Sequence, residues 1–363
     1  MFVLRVLLSF SLAAALAFSM GCAGLHQGGD GNKSAAEGAV GPLSLNGAGF
    51  PPPDLPPPGG GELAALSAVD RPAAVPQSYG REASVPQASE RQASERQAFD
   101  AVVGELERRV RGKVSGATEP LVEYRGADGF FGMAVPVPKS VELEMRLKKS
   151  WREGCPVPIS DLSYLVLGYW DFDGKPQIGE LVVHRKLALA MVTAFGELYA
   201  LRFSIDRMEP IERYDGDDDR SMEANNTSAF NCRDVAGRPG VFSNHSYGTA
   251  IDINPVQNPF LVPKNEALKA LGWNGTEKKA DFLERLGYPH IGTVASFCEK
   301  QVANCRVSPS KGLPFLDRTN PAPGLLVEGP VLQAFTSRGF EWGGLWRNSV
   351  DYQHLEVKPA KLR

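Results

Sequence analysis

Histidine and cysteine are both scarce in this chain, with five of each among 363 residues. The cysteines form no close Cys-x-x-Cys pair, which argues against a zinc site built from them. Charge of one sign is also missing. A net charge of -3 and a hydrophobic fraction of 43% point away from nucleic-acid binding and from a basic membrane-surface protein. The acidic run "DGDDDR" at Asp215–Arg220 lacks the spacing and the closing Glu of an EF-hand, and so reads as a solvated loop.

What is present changes along the chain. Arg5 precedes an apolar stretch from Val6 to about Phe18, too short for a comfortable membrane span and laid out as a secretory signal over residues 1–22. Its end, "SMGC", resembles a bacterial lipoprotein box, with Ser19 where Leu is usual. The resemblance implies lipidation at Cys22. With Ala23 rather than Asp after it, the expected location is the periplasmic face of an outer membrane, reached by export and held by a lipid anchor. Residues 23–93 are rich in Pro, Gly, Ala and Ser, carry the tandem repeat "QASERQASERQ", and read as a disordered linker. About 70 such residues would reach roughly 45–50 Å. Residues 94–116 place Phe99, Val102, Val103, Leu106 and Val110 at helical spacing, which predicts an amphipathic helix.

A globular domain is expected over residues 117–363. "GELVVHRKLALAMVTAFGELYALRFSI" reads as a strand, a helix with Leu187, Met191, Ala194 and Leu198 on one face, and a second strand. "NEALKALGW" and "DFLERLGY" read as short helices, and "PSKGLPFLDRTNPAPG" as a long loop. Mixed strands and helices without βα repetition indicate an α+β fold. Apart from Cys22, four cysteines remain. An even number in an exported protein suggests disulfides, with free buried thiols as the other reading. Three pairings are possible. Cys298 with Cys305 would close a short loop and leave Cys155 with Cys232 as a long-range staple.

Five histidines make the search for chemistry short. His26 falls in the linker. His184 ends an apolar run and reads as structural, and His290 sits in a turn-like "GYPHIG". That leaves His245 and His354. In "SNHSYGTAIDINP", Asp252 follows His245 by seven residues, Gly248 permits a tight backbone path and "AIDI" alternates as a strand does. Imidazole and carboxylate are both ordinary zinc ligands. His354 can supply the third ligand, leaving a fourth position for water, which zinc brings to ionise near neutral pH. Asp351, three residues before His354, is the natural general base, with Glu356 a weaker candidate.

"SNHSYGTAIDINP" together with "WGGLWRNSVDYQHLEV" resembles the zinc D-Ala-D-Ala carboxypeptidase family, the VanX and VanY-type and L-alanyl-D-glutamate peptidases. The resemblance lies in Ser243 and His245, then Gly248, Ala250 and Asp252, then Asp351 with His354, and it extends over roughly Trp151 to Glu356. It implies a hedgehog/DD-peptidase-like fold, an antiparallel sheet with flanking helices. It implies one zinc ion on His245, Asp252 and His354, with Asp351 as acid/base. Asp at that position and the "WGG" lead-in are similar to the endopeptidase branch. It implies that Arg233 binds a substrate carbonyl or carboxylate and stabilises the oxyanion, a task suited to a two-pronged cation. A structural salt bridge is the plainer role for that arginine. Ser228, Asn231, Tyr247 and Trp342 are expected around the substrate. The implied substrate is a peptidoglycan stem peptide, cut as a carboxypeptidase or an endopeptidase, with no nucleic-acid partner and a monomeric enzyme. The alternative is a non-catalytic, zinc-containing wall-binding module.

Overall fold

The computed structural model describes residues 88–114, 120–126, 128–320 and 322–362. The expected signal segment, Cys22, His26 and most of the expected linker lie outside them. The first helix, α1 (Ala88–Lys113), takes in much of the tandem repeat, so helix begins six residues before the expected Ser94. Leu106 and Val110 on it are buried. No helix among the described residues is long and apolar enough to cross a membrane.

An antiparallel sheet follows, in the order β1 (Val122–Arg125), β2 (Phe131–Pro136), β3 (Leu162–Trp170) and β4 (Pro176–His184), with α2 (Lys139–Leu147) between β2 and β3. β3 is "LSYLVLGYW", and all nine residues are buried. Such an apolar run marks a strand covered on both faces rather than one alternating between core and water. Both α1 and α3 (Ala188–Ala200) pack on this sheet. Met191, Ala194 and Leu198 of α3 point into the core, as their spacing predicts.

The strand expected after α3 shrinks to a single bridge between Ser204 and Trp170. The chain there closes on Trp170 through the Ile205 amide, at 2.8 Å, and then turns into β5 (Arg207–Met208), which pairs in parallel with β6 (Asn226–Thr227). The acidic run between them is not a free loop. Asp217 caps α4 (Asp218–Glu223) by accepting from the Arg220 amide at 3.0 Å, so two further acids fall in the first turn, where the helix dipole favours them.

The remaining strands are short. β7 (Asp234–Val235) and β8 (Arg238–Phe242) form a hairpin. β9 (Ala250–Asp252) is an edge of a three-stranded sheet. Next come β10 (Phe260–Pro263), α5 (Asn265–Ala270), α6 (Lys279–Arg285), α7 (Thr293–Lys300), β11 (Cys305–Ser308), α8 (Pro330–Thr336), β12 (Glu341–Trp342), β13 (Val350–Asp351) and β14 (His354–Glu356). Their sheets run β12-β14-β9 and β11-β10-β13, all antiparallel. The architecture is thus α+β with antiparallel sheets. The disulfides are Cys155–Cys232 and Cys298–Cys305. The long loop after β11 is anchored by Arg318, whose guanidinium donates to Gln257 O, to Asn258 Oδ1 at 2.7 Å and to Leu326 O at 2.8 Å. It lies 4.4 Å from the Tyr352 ring, and burial pulls it down to about 10.

Candidate metal centre

Local backbone chemistry sets the first side chain. Ser243 caps a short 3-10 turn, Asn244–Tyr247, its Oγ accepting from the His245 amide. Gly248 ends the turn at φ +67°, a left-handed conformation that costs little only for glycine. A Cβ there would lie 2.6 Å from the His184 amide nitrogen, which donates to Gly248 O at 2.7 Å. The turn is therefore pressed onto the end of β4, and His245 is held buried.

Strand register sets the other two. β9 and β14 pair with Asp252 opposite His354 and Ile251 opposite Leu355. Side chains alternate along a strand and directly opposed residues share a face. Ile251 and Leu355 therefore enter the core, while Asp252, His354 and Glu356 project together on the other face. Backbone bonds between Ser228 and Asp252, at 2.9 and 3.0 Å, fix the outer edge of β9.

The result is a tight triangle. His245 Nε2 lies 3.2 Å from Asp252 Oδ2 and 3.3 Å from His354 Nδ1, and His354 Nδ1 lies 2.9 Å from Asp252 Oδ1. Each imidazole is fixed from behind. His245 Nδ1 faces Ala229 O at 2.5 Å, and His354 Nε2 faces a Glu356 oxygen at 2.9 Å, which also accepts from Asn244 Nδ2 at 2.6 Å. Each rear nitrogen meets an acceptor and so carries the proton. Both inward nitrogens then present lone pairs beside a carboxylate. Three acceptors converging in a buried place call for a cation or protons at their centre. The edges of a tetrahedron with bonds of ~2.05 Å are about 3.3 Å; the nitrogen–nitrogen separation matches that, and one ligand atom from each of the three residues lies within 4.8 Å of the others.

Without a cation, the charges redistribute onto protons. Burial would raise the Asp252 carboxyl, but the two imidazoles hold it well below the usual carboxylate range. Burial would lower His354, but its bonds to Asp252 and Glu356 push it up to about 10. Asp351, at the end of β13, is pushed up to about 7 by burial and by the charge of Asp252. Its Oδ1 is buried with no hydrogen-bond partner among the described residues.

Residues 236–357 match a family model described as D-alanyl-D-alanine carboxypeptidase. The match covers 122 of the 363 residues and supports the resemblance carried by the two motifs. No curated protein and no solved structure matches the chain. The carboxypeptidase-family segment takes in His245, Asp252, Asp351 and His354 and leaves out Ser228, Asn231 and Arg233.

Those three lie close in sequence to each other, yet each has an occupation of its own. Ser228 pins β9. Asn231 Nδ2 donates to Gly216 O at 3.2 Å. Arg233 pairs with Asp218 at 2.8 Å, and its Nε is buried without a partner among the described residues. Its backbone is stapled to the His245 turn by Ser246, whose Oγ accepts from the Arg233 amide at 2.8 Å. Tyr247 is half-buried in that same turn. Trp342 is buried, with Nε1 donating to Tyr352 O at 2.8 Å. Glu356, considered as a base, sits behind His354 rather than in front of it. His184 caps the turn after β4, its Nδ1 accepting from the Lys186 amide, and His290 sits at the surface against Glu284 and Arg347.

Two residues of the family segment were not visible as site residues. The Trp346 ring centroid lies 5.2 Å from that of His354. Gly343 allows the 3-10 turn Gly343–Leu345 to lie on the strand pair, since a Cβ there would come within 2.6 Å of Asp351 O and 3.3 Å of His354 Cβ. The "WGG" spelling carries the second signal, and "GLWR" carries no periodicity that reveals the first.

Proposed function

We propose that this protein is an exported zinc metallopeptidase that hydrolyses peptide bonds of peptidoglycan stem peptides. The observation that carries the reading is the convergence of His245 Nε2, His354 Nδ1 and an Asp252 oxygen, with each imidazole held in place by a partner behind it. These three residues would hold the zinc. Bound there, zinc would polarise the scissile carbonyl and promote ionisation of water. Asp351 takes the proton of the attacking water and returns it to the leaving amine, one carboxyl serving first as base and then as acid. Its buried, unpartnered Oδ1 supports that role. Arg233 remains the candidate for the substrate carbonyl or carboxylate, and to serve it would have to share or release Asp218. Glu356 and Ala229 keep the tautomers that the metal requires.

The exported, lipid-anchored arrangement expected from the N-terminus suits such a substrate, because a tether lets the domain search the wall beside the membrane. The test is a digest of defined muropeptides by the full-length protein with zinc, read by mass spectrometry beside Asp351→Ala. Loss of a terminal D-Ala identifies a carboxypeptidase, and a cut within the stem or cross-bridge an endopeptidase. One bound zinc with no product from either protein would replace catalysis with wall binding.

A further inference from the structure

A cleft opens beside the candidate metal centre. It encloses about 520 Å³ between α8 and the Trp342–Trp346 segment, a size ordinary for small-molecule and peptide side-chain sites. It reaches the centre through Trp346, one of its lining residues, whose ring also packs against His354. Leu332, Phe340, Leu345 and Trp346 form its apolar walls. Leu345 is 63% exposed and Trp346 36% exposed, a large apolar surface to leave in water beside a polar site.

The charges around it are one-sided. Glu328 and Glu341 line the cleft, and no cation does. Glu341 is already neutralised by Lys358 at 3.0 Å and Lys361 at 2.9 Å. Arg347, next to Trp346, is engaged by Asp281 at 2.8 Å and Glu284 at 2.6 Å. Glu328 is exposed at the rim and makes no ion pair among the described residues. A terminal carboxylate would therefore find no cation among the lining residues and would face the unpaired charge of Glu328 at the rim. An alkyl chain ending in an ammonium group meets apolar walls along its length and a carboxylate at its tip, as lysine-like side chains prefer.

We propose that this cleft is the subsite for an amine-bearing alkyl side chain of the substrate peptide, with Glu328 receiving the ammonium group. The proposal rests on the peptidase reading for its substrate. It assigns Glu328 and the α8 face to specificity, and it sends any terminal carboxylate to another part of the site.

The test separates binding from turnover. Full-length, zinc-loaded Asp351→Ala protein is titrated by calorimetry with synthetic stem-type pentapeptides that carry lysine, norleucine or Nε-acetyl-lysine at one position, scanned in turn. At the position that enters the cleft, lysine should bind about fivefold tighter than either analogue, the effect of one rim ion pair. Adding Glu328→Gln should erase that difference. Adding Thr336→Trp, at an exposed lining position, should weaken all three peptides while zinc stoichiometry and circular dichroism stay as in the parent. Equal binding of the three peptides at every position overturns the proposal. So does selectivity that survives Glu328→Gln, or binding indifferent to Thr336→Trp. If lysine selectivity is found but protein with an intact Asp351 cuts none of the peptides, the peptidase reading fails and the cleft assignment stands.

Discussion

Substituting Gly248 by alanine perturbs the centre without touching a ligand. An alanine at φ +67° costs ~1–2 kcal/mol from the left-handed backbone alone. Its Cβ would lie 2.6 Å from the His184 amide nitrogen and 3.0 Å from Leu162 Cδ2. The first of these neighbours is backbone and cannot rotate away, so β4 and the turn must separate by roughly 0.8 Å to reach ordinary contact. That movement strains the bond from His184 to Gly248 O, and overpacking of this kind adds ~1–3 kcal/mol. A total near 3 kcal/mol should lower the melting temperature by about 6–12 °C in a domain of this size. Gly237 supplies the control. It has φ +74° and nothing within 4 Å of a built Cβ, so Gly237→Ala should cost only about 1 kcal/mol, or ~2–4 °C. Calorimetric scans of metal-free protein measure both shifts, and competition with a chromophoric chelator measures zinc affinity. Gly248→Ala should also lose at least about tenfold in zinc affinity, because the turn sets His245 against Asp252. A Gly248→Ala protein that melts no lower than Gly237→Ala would refute the steric reasoning. Unchanged zinc affinity at a lowered melting point would show that the turn supports the fold and not the centre.

Four further outcomes are expected. Glu356→Ala should weaken zinc binding about 10- to 100-fold by freeing the far nitrogen of His354, whereas Glu356→Gln, which can still accept that proton, should retain most of the affinity; chelator competition compares the two. With His354 raised to about 10 in the metal-free protein, binding must displace its proton, so zinc affinity should climb about tenfold per pH unit between pH 7 and 9, and a flat profile would contradict the hydrogen-bond assignment. Burial raises Glu212 above its ordinary value, against the hydrogen bond from Ser150. The native state therefore gains relative stability while this carboxyl is protonated and loses it as pH rises through the raised value, so Glu212→Gln should raise the melting temperature at pH 7–8 and change little near pH 4. The Cys155–Cys232 bridge spans 77 residues and the Cys298–Cys305 bridge seven. Chain entropy then assigns them ~4.5 and ~2.3 kcal/mol, and denaturant titration of the two double-alanine variants should rank them in that order.

The parts of the site carried by short-range rules were legible in the sequence. The Ser243 cap, the Gly248 turn and the alternation in "AIDI" are local, and each follows from residue type and spacing. Opposition of Asp252 to His354 is not local: it depends on the register of strands 102 residues apart, and the reading of both as ligands came from residue type and spacing, strengthened by the family resemblance. Glu356 was legible in principle, since i and i+2 share a strand face, but its proximity to His354 suggested a base before the geometry put it behind the ring. Trp346 and the Glu328 cleft depend on how α8 packs beside the 343–345 turn, which no local pattern encodes. In the fold, the period of α3 was clear, whereas the strand expected after it meets β3 only at that strand's last residue, Trp170, and so is reduced to one bridge. The acidic run before Arg220 is largely exposed, as its composition suggested, whereas its capping role was hidden because it depends on the helix that follows.

The central position of β14 between β9 and β12 gives the centre a place in the order of folding. His245 and Asp252 are brought together by a local turn, but the third ligand joins only when a segment about a hundred residues downstream has been recruited to the middle of the sheet. Pairings over such separations form late, because the closure entropy comes before the contacts that reward it. Tight metal capture is therefore a sign of a finished molecule. A chain in which β14 is not yet in place presents at most two of the three ligands, so capture of a metal there would mark the completion of folding.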